Sequence, residues 1–193
     1  MPTNTTVTKA LSQIQSDPSK ILRLNIGNHI NVKPGQYIPR ADAQPPPEPF
    51  LPPNLNPPPG TTYILITLDI DAPFPSLPVL SPILHWIQPG LQHTPTPSSS
   101  TTDHNHPRKL TPTAPSIGNY IGPAPPPGSA PHRYVFLLYE EPEGFEGGKY
   151  AGRGVGSMSM RRRVRWDFER WAGGVGLDLE LGGFVGGCWV LCN

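Results

Sequence analysis

Apolar residues along this chain gather in short runs separated by polar connections rich in proline and glycine. The run Ile64-Leu65-Ile66-Thr67-Leu68 has the length and β-branched content of a buried strand. It ends at Asp69-Ile70-Asp71, where a two-residue side-chain period puts both carboxylates on one face and Ile70 on the other. Ala72-Pro73 then stops the ladder, because proline has no N–H to give. A second apolar segment carries His85-Trp86. A third, from Val135 to Tyr139, is opened by His132-Arg133-Tyr134 behind a Pro/Gly turn, and Phe184 to Leu191 reads as a closing strand. Helical periodicity is confined to two places. Val7, Leu11 and Ile14 share one face, with Thr5 or Thr6 available as N-cap and Asp17-Pro18 as the stop. Phe168, Trp171, Ala172 and Val175 match the second helical stripe behind an Asp167 N-cap, and Gly173-Gly174 keep that helix short, at about 1 kcal/mol each relative to Ala.

The pattern predicts a mostly β (α/β) fold: a central antiparallel sheet, a second small sheet and a few short helices. Residues 1–193 form one domain in this reading, with a helical extension over 1–19. Residues 21–27 and 30–32 pair as a hairpin around Gly27-Asn28-His29, and 48–60 is an extended surface connection. Residues 92–115, rich in Ser, Thr and Pro, form a flexible loop that cannot support a packed element; its His104 and His106 lack a third metal ligand nearby.

Composition narrows the function classes. Pro 29 and Gly 20 in 193 residues border on the range of disordered chains, but Leu, Ile, Val and Phe exceed the roughly one-fifth expected of a folded one. A net charge of +1 excludes the basic excess of a general nucleic-acid surface. No stretch approaches the roughly 20 apolar residues that span a bilayer. The first residues lack the apolar core of a signal peptide, and Cys188 and Cys192, about 13 Å apart on an extended strand, are too far for a disulfide. Free thiols and a cytoplasmic location follow from that reading. Arg161, Arg162, Arg163 and Arg165 form a basic run, by default a solvated edge, with contact to lipid phosphates or an acidic partner as the sharper alternative.

Two long motifs carry a resemblance. Asp69-Ile70-Asp71-Ala72-Pro73 is followed by Leu84-His85-Trp86, and Tyr120 to Tyr134 reads Y-I-G-P-A-P-P-P-G-S-A-P-H-R-Y. In this order they resemble the phosphatidylethanolamine-binding protein family, which includes the Raf kinase inhibitor proteins of animals and the flowering-time regulators of plants; the wording is nearest to fungal members. Ala41-Asp42-Ala43-Gln44-Pro45-Pro46 resembles the family segment preceding the central strand, and the likeness runs from about Ile21 to Val190. The extra C-terminal helix of the animal members has no counterpart here. Departures are Ile70 in place of Pro, Phe74 in place of a small residue, and Ile83 where the plant regulators carry Tyr or His.

The resemblance implies a small anion pocket walled by Asp69, Asp71, Pro73, His85, His132 and Tyr134, with Gly122 and Pro126 at the rim, and a cis Ala72–Pro73 bond. The carboxylates would orient and charge the two imidazoles, which donate to the anion, while their mutual repulsion favours protonating one of them. Neither a cofactor nor a functional metal is implied. Three function classes follow: a ligand-binding or regulatory protein for anionic or phospholipid head groups, with peripheral membrane contact; an inhibitor docking a protease or kinase; or a metal-free fungal secondary-metabolite enzyme coupling anionic polyketide-like units, with His85, His132, Asp69 and Asp71 as acid and base. No nucleophile with an adjacent base, P-loop or dinucleotide glycine signature is present.

Overall fold

The computed structural model describes residues 5–53, 55–93, 107–150, 158–179 and 183–193. Strands β1 (Arg23–Asn25) and β3 (Glu48–Phe50) form a small antiparallel sheet. The main sheet has the order β2-β8-β7-β4-β5-β6, built from β2 (Gln36–Tyr37), β4 (Thr62–Asp69), β5 (Ile83–His93), β6 (Leu110–Pro112), β7 (His132–Glu140) and β8 (Phe184–Cys192). Its pairs are antiparallel except β2 with β8. The helices are α1 (Thr5–Ser16), α2 (Met160–Arg163) and α3 (Phe168–Gly174), so the mostly β architecture expected from the apolar runs is the one observed.

Alternation along the central strands divides the core in two. Tyr63 and Leu65 of β4 pack with Trp86, Tyr134 and Phe136 on one face, while Ile64, Ile66 and Leu68 pack with α1 and α3 on the other. α1 buries Val7, Ala10 and Ile14, as its periodicity predicts, and Asp17 caps the 3₁₀ turn Pro18–Lys20 that follows. Thr5 and Thr6 both lie inside α1, so neither is its N-cap. Instead Thr6 donates its N–H and hydroxyl to Glu169 on α3, at 3.0 and 2.9 Å, supplying an acceptor to the helix start from across the fold. Asp167 caps α3 by accepting from the Arg170 N–H.

Three expectations change. The 48–60 connection begins with a strand, β3, that pairs β1, while the expected hairpin around 27–29 is held by the Ile26–His29 bridge and the Val32 N–H bond to the Leu24 carbonyl at 2.9 Å. Within 92–115, Leu110–Pro112 forms β6 on the edge of β5, because Leu110 supplies a buried apolar anchor inside an otherwise polar stretch; residues 94–106, with His104 and His106, lie outside the described residues. In the basic run, Arg161, Arg162 and Arg165 are exposed but Arg163 is buried at 1% exposure. Both cysteines are free and buried, and burial raises their thiols to about 12 at Cys188 and about 11 at Cys192.

Candidate functional site

The C-terminal end of β4 and the N-terminal ends of β5 and β7 meet at one end of the sheet, because β4 is antiparallel to both neighbours. Asp69 lies opposite Tyr134, and the next β7 residues outward are Arg133 and His132. A bulge in β5 moves the pairing from Thr67–Trp86 to Leu68–Leu84 and leaves His85 as the extra residue. His85 meets Tyr134 edge-on, with ring centroids 5.0 Å apart. Ala72–Pro73 is cis, as the D-A-P turn implied, and Ser81–Pro82 is a second cis bond.

The two carboxylates do not share a task. β4 ends at Asp69, so Asp71 has left the strand's alternation and turns to a different partner. Asp69 accepts the Asp71 N–H at 2.9 Å and faces Nδ1 of His132 at 2.8 Å. Asp71 accepts the Arg133 backbone N–H at 2.8 Å and holds its guanidinium at 2.8 and 2.6 Å. Each carboxylate thus has a cation of its own, which offsets the mutual repulsion expected of the pair.

The imidazoles also divide. His132 is fully buried, with Nε2 3.1 Å from the Pro73 carbonyl and 3.0 Å from the Ser129 hydroxyl oxygen. The Pro73 carbonyl and the Asp69 carboxylate can only accept, which favours the doubly protonated imidazolium, while the Ser129 hydroxyl can pair with either form of Nε2. Burial works against that charge, but Asp69, the Pro73 carbonyl and Asp71 together raise its pKa above the ordinary value. Both ring N–H groups are engaged within the protein, so the expected donation from His132 to an outside anion has no free N–H to use. His85 is the opposite case. Burial lowers its pKa, with Arg163 and His132 adding to the effect against the Ile121 carbonyl and Asp69. Its Nδ1–H donates to the Ile121 carbonyl at 2.8 Å, leaving Nε2 as a neutral acceptor.

His85 borders a cavity of about 10 Å³, closed by Ile26, Ala43, Thr67, Tyr120, Pro123 and Tyr134 among others, with room for about one water. Among the described residues the buried Thr67 hydroxyl has no hydrogen-bond partner, and the buried Tyr134 hydroxyl makes none of good geometry, although the Asp69 carboxylate and the Ala124 backbone lie beside it. Burial first, and the Asp69 charge after it, hold the Tyr134 phenol well above its ordinary pKa, so it stays a neutral donor. Gly122 approaches Gln44 so closely that a Cβ would lie 2.5 Å from Oε1, and Gln44 donates to the Pro123 carbonyl at 3.1 Å, fastening the 41–46 segment to the rim. Pro126 is half-buried and accepts the Ser129 N–H at 3.1 Å. Among the described residues, no three His, Cys, Asp or Glu side chains form a group that could hold a metal.

Arg163, Thr67 and Arg133 went unassigned in the sequence. Arg163 donates to the carbonyls of Leu84 (3.2 Å), His85 (3.3 Å), Asn119 (2.9 Å) and Met158 (3.0 Å), and to Asn119 Oδ1 at 2.6 Å. It ties the β5 bulge to Asn119, with no carboxylate partner among the described residues. Nothing in a run of arginines marks the buried one. Thr67 was legible: it is the polar residue on the Asp69 face of an otherwise apolar run.

A central, largely antiparallel sheet with a small accessory sheet, and a buried Asp–His pair where the strand ends meet, defines this class of protein. The sequence profile of the family named Phosphatidylethanolamine-binding protein matches residues 28–183, and the chain belongs to that family. It is 46% identical over 57 residues to Carboxypeptidase Y inhibitor of Saccharomyces cerevisiae, covering 30% of this chain and 23% of that protein. It is 40% identical over 67 residues to Phomoidride biosynthesis cluster protein N of Talaromyces stipitatus, covering 34% and 29%. These matches span less than a third of either relative. The crystal structure of carboxypeptidase Y inhibitor complexed with its cognate proteinase shares the fold, with TM-score 0.67 and 22% identity over 98% of this chain and 93% of that one. Among the described residues no helix is long and apolar enough to cross a membrane.

Proposed function

We propose that this chain is a ligand-binding regulatory protein that takes a small anionic group, of the phosphorylated head-group type, at His85, Thr67 and Tyr134. The observation that carries the reading is a pair of buried hydroxyls, Thr67 without a partner among the described residues and Tyr134 without a well-formed one, on the same cavity as the open Nε2 of His85. Such groups cost about 1–3 kcal/mol each when left unsatisfied, which a ligand or water would recover. The charge balance supports an anion. Asp69 is matched by His132 and Asp71 by Arg133, and the Arg163 guanidinium behind His85 has no carboxylate partner among the described residues. A cavity of about 10 Å³ admits no phosphate, so binding requires the 120–126 rim to move. Titration of the protein with inorganic sulfate, followed at the His85 ring signals by NMR, tests this. Saturable shifts at His85 are expected, and shifts confined to exposed lysines and arginines would refute it.

A second reading, a protease inhibitor, draws on the 46% identical stretch shared with the yeast inhibitor. Inhibition of carboxypeptidase Y by the purified chain, unaffected by saturating sulfate, would favour it over the anion reading. The enzymatic alternative loses most of its acid–base set, since His132, Asp69 and Asp71 are all engaged in internal pairs.

A further inference from the structure

Between α1 and the start of β8 lies a second cavity, on the other face of the sheet from the Tyr134 and Phe136 side chains. Its origin is a change in what β8 presents to the helix. At Gly187 a Cβ would lie 2.6 Å from Cδ1 of Ile14, so helix and strand touch there. Toward the beginning of β8 the sheet presents rings instead. Tyr139 pairs with Phe184 beyond a bulge, and their ring centroids are 5.5 Å apart. Over these rings a cavity of about 190 Å³ remains, lined by Ala10, Tyr139 and Phe184 on its apolar side and by Lys9, Gln13 and Lys20 on its polar side. A cavity of about 150 Å³ is enough for one benzene ring, so a single ring with one polar substituent fits in size.

The polar side is rich in donors. Lys20 Nζ gives one N–H to the Phe184 carbonyl at 3.0 Å and stands 5.9 Å from the centroid of the Phe184 ring, which sets its charge against the apolar floor. Lys9 and Gln13 share one face of α1 with Thr6, at helical spacing. Burial holds the Tyr139 phenol above its ordinary pKa, so it stays a neutral hydroxyl. None of the lining residues is Asp or Glu. Two acids that flank the cavity are engaged: Glu169 accepts both Thr6 donors, and Asp17 accepts the Ser19 N–H and hydroxyl at 2.9 and 2.7 Å.

We infer that this cavity takes a compact carboxylate with an apolar body, an aromatic or branched-chain acid, its carboxylate at Lys20 within the field of Lys9 and its body against Phe184 and Tyr139. A bare inorganic anion would leave the rings uncovered, and a neutral apolar molecule would strip water from the Lys20 ammonium without replacing it. A ligand with both parts answers both walls, the mix of apolar lining and few placed polar groups typical of small-molecule sites. The inference does not rest on the anion reading at His85. The two cavities share no lining residue, and Tyr139 lies seven residues along β7 from His132, about 23 Å.

Titration of the full chain with benzoate, followed by NMR at the Ala10 methyl and the Tyr139 and Phe184 rings, tests it. Saturable shifts at these signals are expected, with benzamide about tenfold weaker for want of the charge. Lys20→Gln should weaken benzoate about tenfold and leave benzamide unchanged, a split that a merely structural role for Lys20 would not give. Ala10→Leu fills the cavity with another good helix former and should abolish the shifts from both molecules. Saturating sulfate at matched ionic strength should leave the benzoate affinity unchanged, whether or not sulfate itself binds at His85. Equal affinity for benzoate and benzamide, displacement of benzoate by sulfate, shifts confined to His85 and Tyr134, or no saturable shift at all would each overturn the inference. Confinement to His85 and Tyr134 would move the acid to the other cavity.

Discussion

Oδ2 of Asp69 stands 2.8 Å from Nδ1 of His132, with both side chains almost wholly removed from water. Around this contact the strand end is closed: Asp69 also holds the Asp71 N–H, and His132 holds the carbonyl of cis Pro73. The pair therefore fixes the turn that leads into the exposed 74–80 segment. Removing one member leaves the other charge buried and alone, so Asp69→Asn is expected to cost about 3–5 kcal/mol. Urea denaturation of the two proteins at neutral pH measures it, and a loss below 1 kcal/mol would mean the pair is dispensable.

His132 makes stability depend on pH with a definite sign. Its pKa is raised in the folded protein, so its contribution is fully present below the unfolded value of about 6.5 and is lost as pH rises through the folded value. His85, whose pKa is lowered by burial, acts in the other direction, with stability falling as pH drops below about 6.5. A stability maximum near neutrality is expected. In His132→Gln the loss on the alkaline side should disappear while the acid side stays; an unchanged alkaline limb would contradict the assignment of charge to His132.

Arg163 offers a sharper separation of charge from geometry. Its guanidinium satisfies five oxygens on three segments, a set that the three donors of an ammonium cannot reproduce. Arg163→Lys should therefore destabilise nearly as much as Arg163→Met, by about 3 kcal/mol or more, since several carbonyls lose their donors in both. Thermal melts of the two variants decide it, and full rescue by lysine would show that charge alone is needed there.

How much of this could be read from the chain differs from residue to residue, for physical reasons. Strand β4, the Asp69 face and the α3 cap follow from local periodicity, which records which side of an element is wet. The commitment of Asp71 to Arg133 does not, because it depends on β4 ending at Asp69 and on the β4–β7 register. Leu110 looked like one apolar residue in a polar loop, and only the open edge of β5 makes it a strand. Arg163 is the least legible, since its partners are backbone carbonyls and carbonyls have no sequence.

Glycines of β8 set a further limit that substitution can expose. A Cβ at Gly187 would lie 2.6 Å from Cδ1 of Ile14 and 2.7 Å from the Phe136 carbonyl oxygen, where α1 crosses the sheet. Gly187→Ala is expected to cost about 1–3 kcal/mol as overpacking. Gly173, inside α3, has nothing within 4 Å, so Gly173→Ala should stabilise by up to about 1 kcal/mol. Opposite shifts in melting temperature are the readout, and two shifts of the same sign would rule out this account of the packing.

The final prediction concerns the anion and its proton. Sulfate stays fully ionised across the useful range, so any pH dependence of its binding belongs to the protein. In the free protein His85 is neutral near pH 7, with Nε2 a lone-pair acceptor that repels an anion. Sulfate at that position favours the imidazolium and raises the His85 pKa, so affinity must increase as pH falls through the bound-state value and level off only below the depressed free value. Affinity at about pH 5.5 should exceed that at about pH 8, by as much as roughly tenfold per pH unit between those limits. His85→Gln should flatten the profile. His132→Gln should not, because both nitrogens of His132 are engaged within the protein and its charge persists to higher pH. Calorimetric titration at several pH values separates these cases. A profile that His132→Gln flattens and His85→Gln leaves alone would move the anion to the Asp69 pair and away from the cavity.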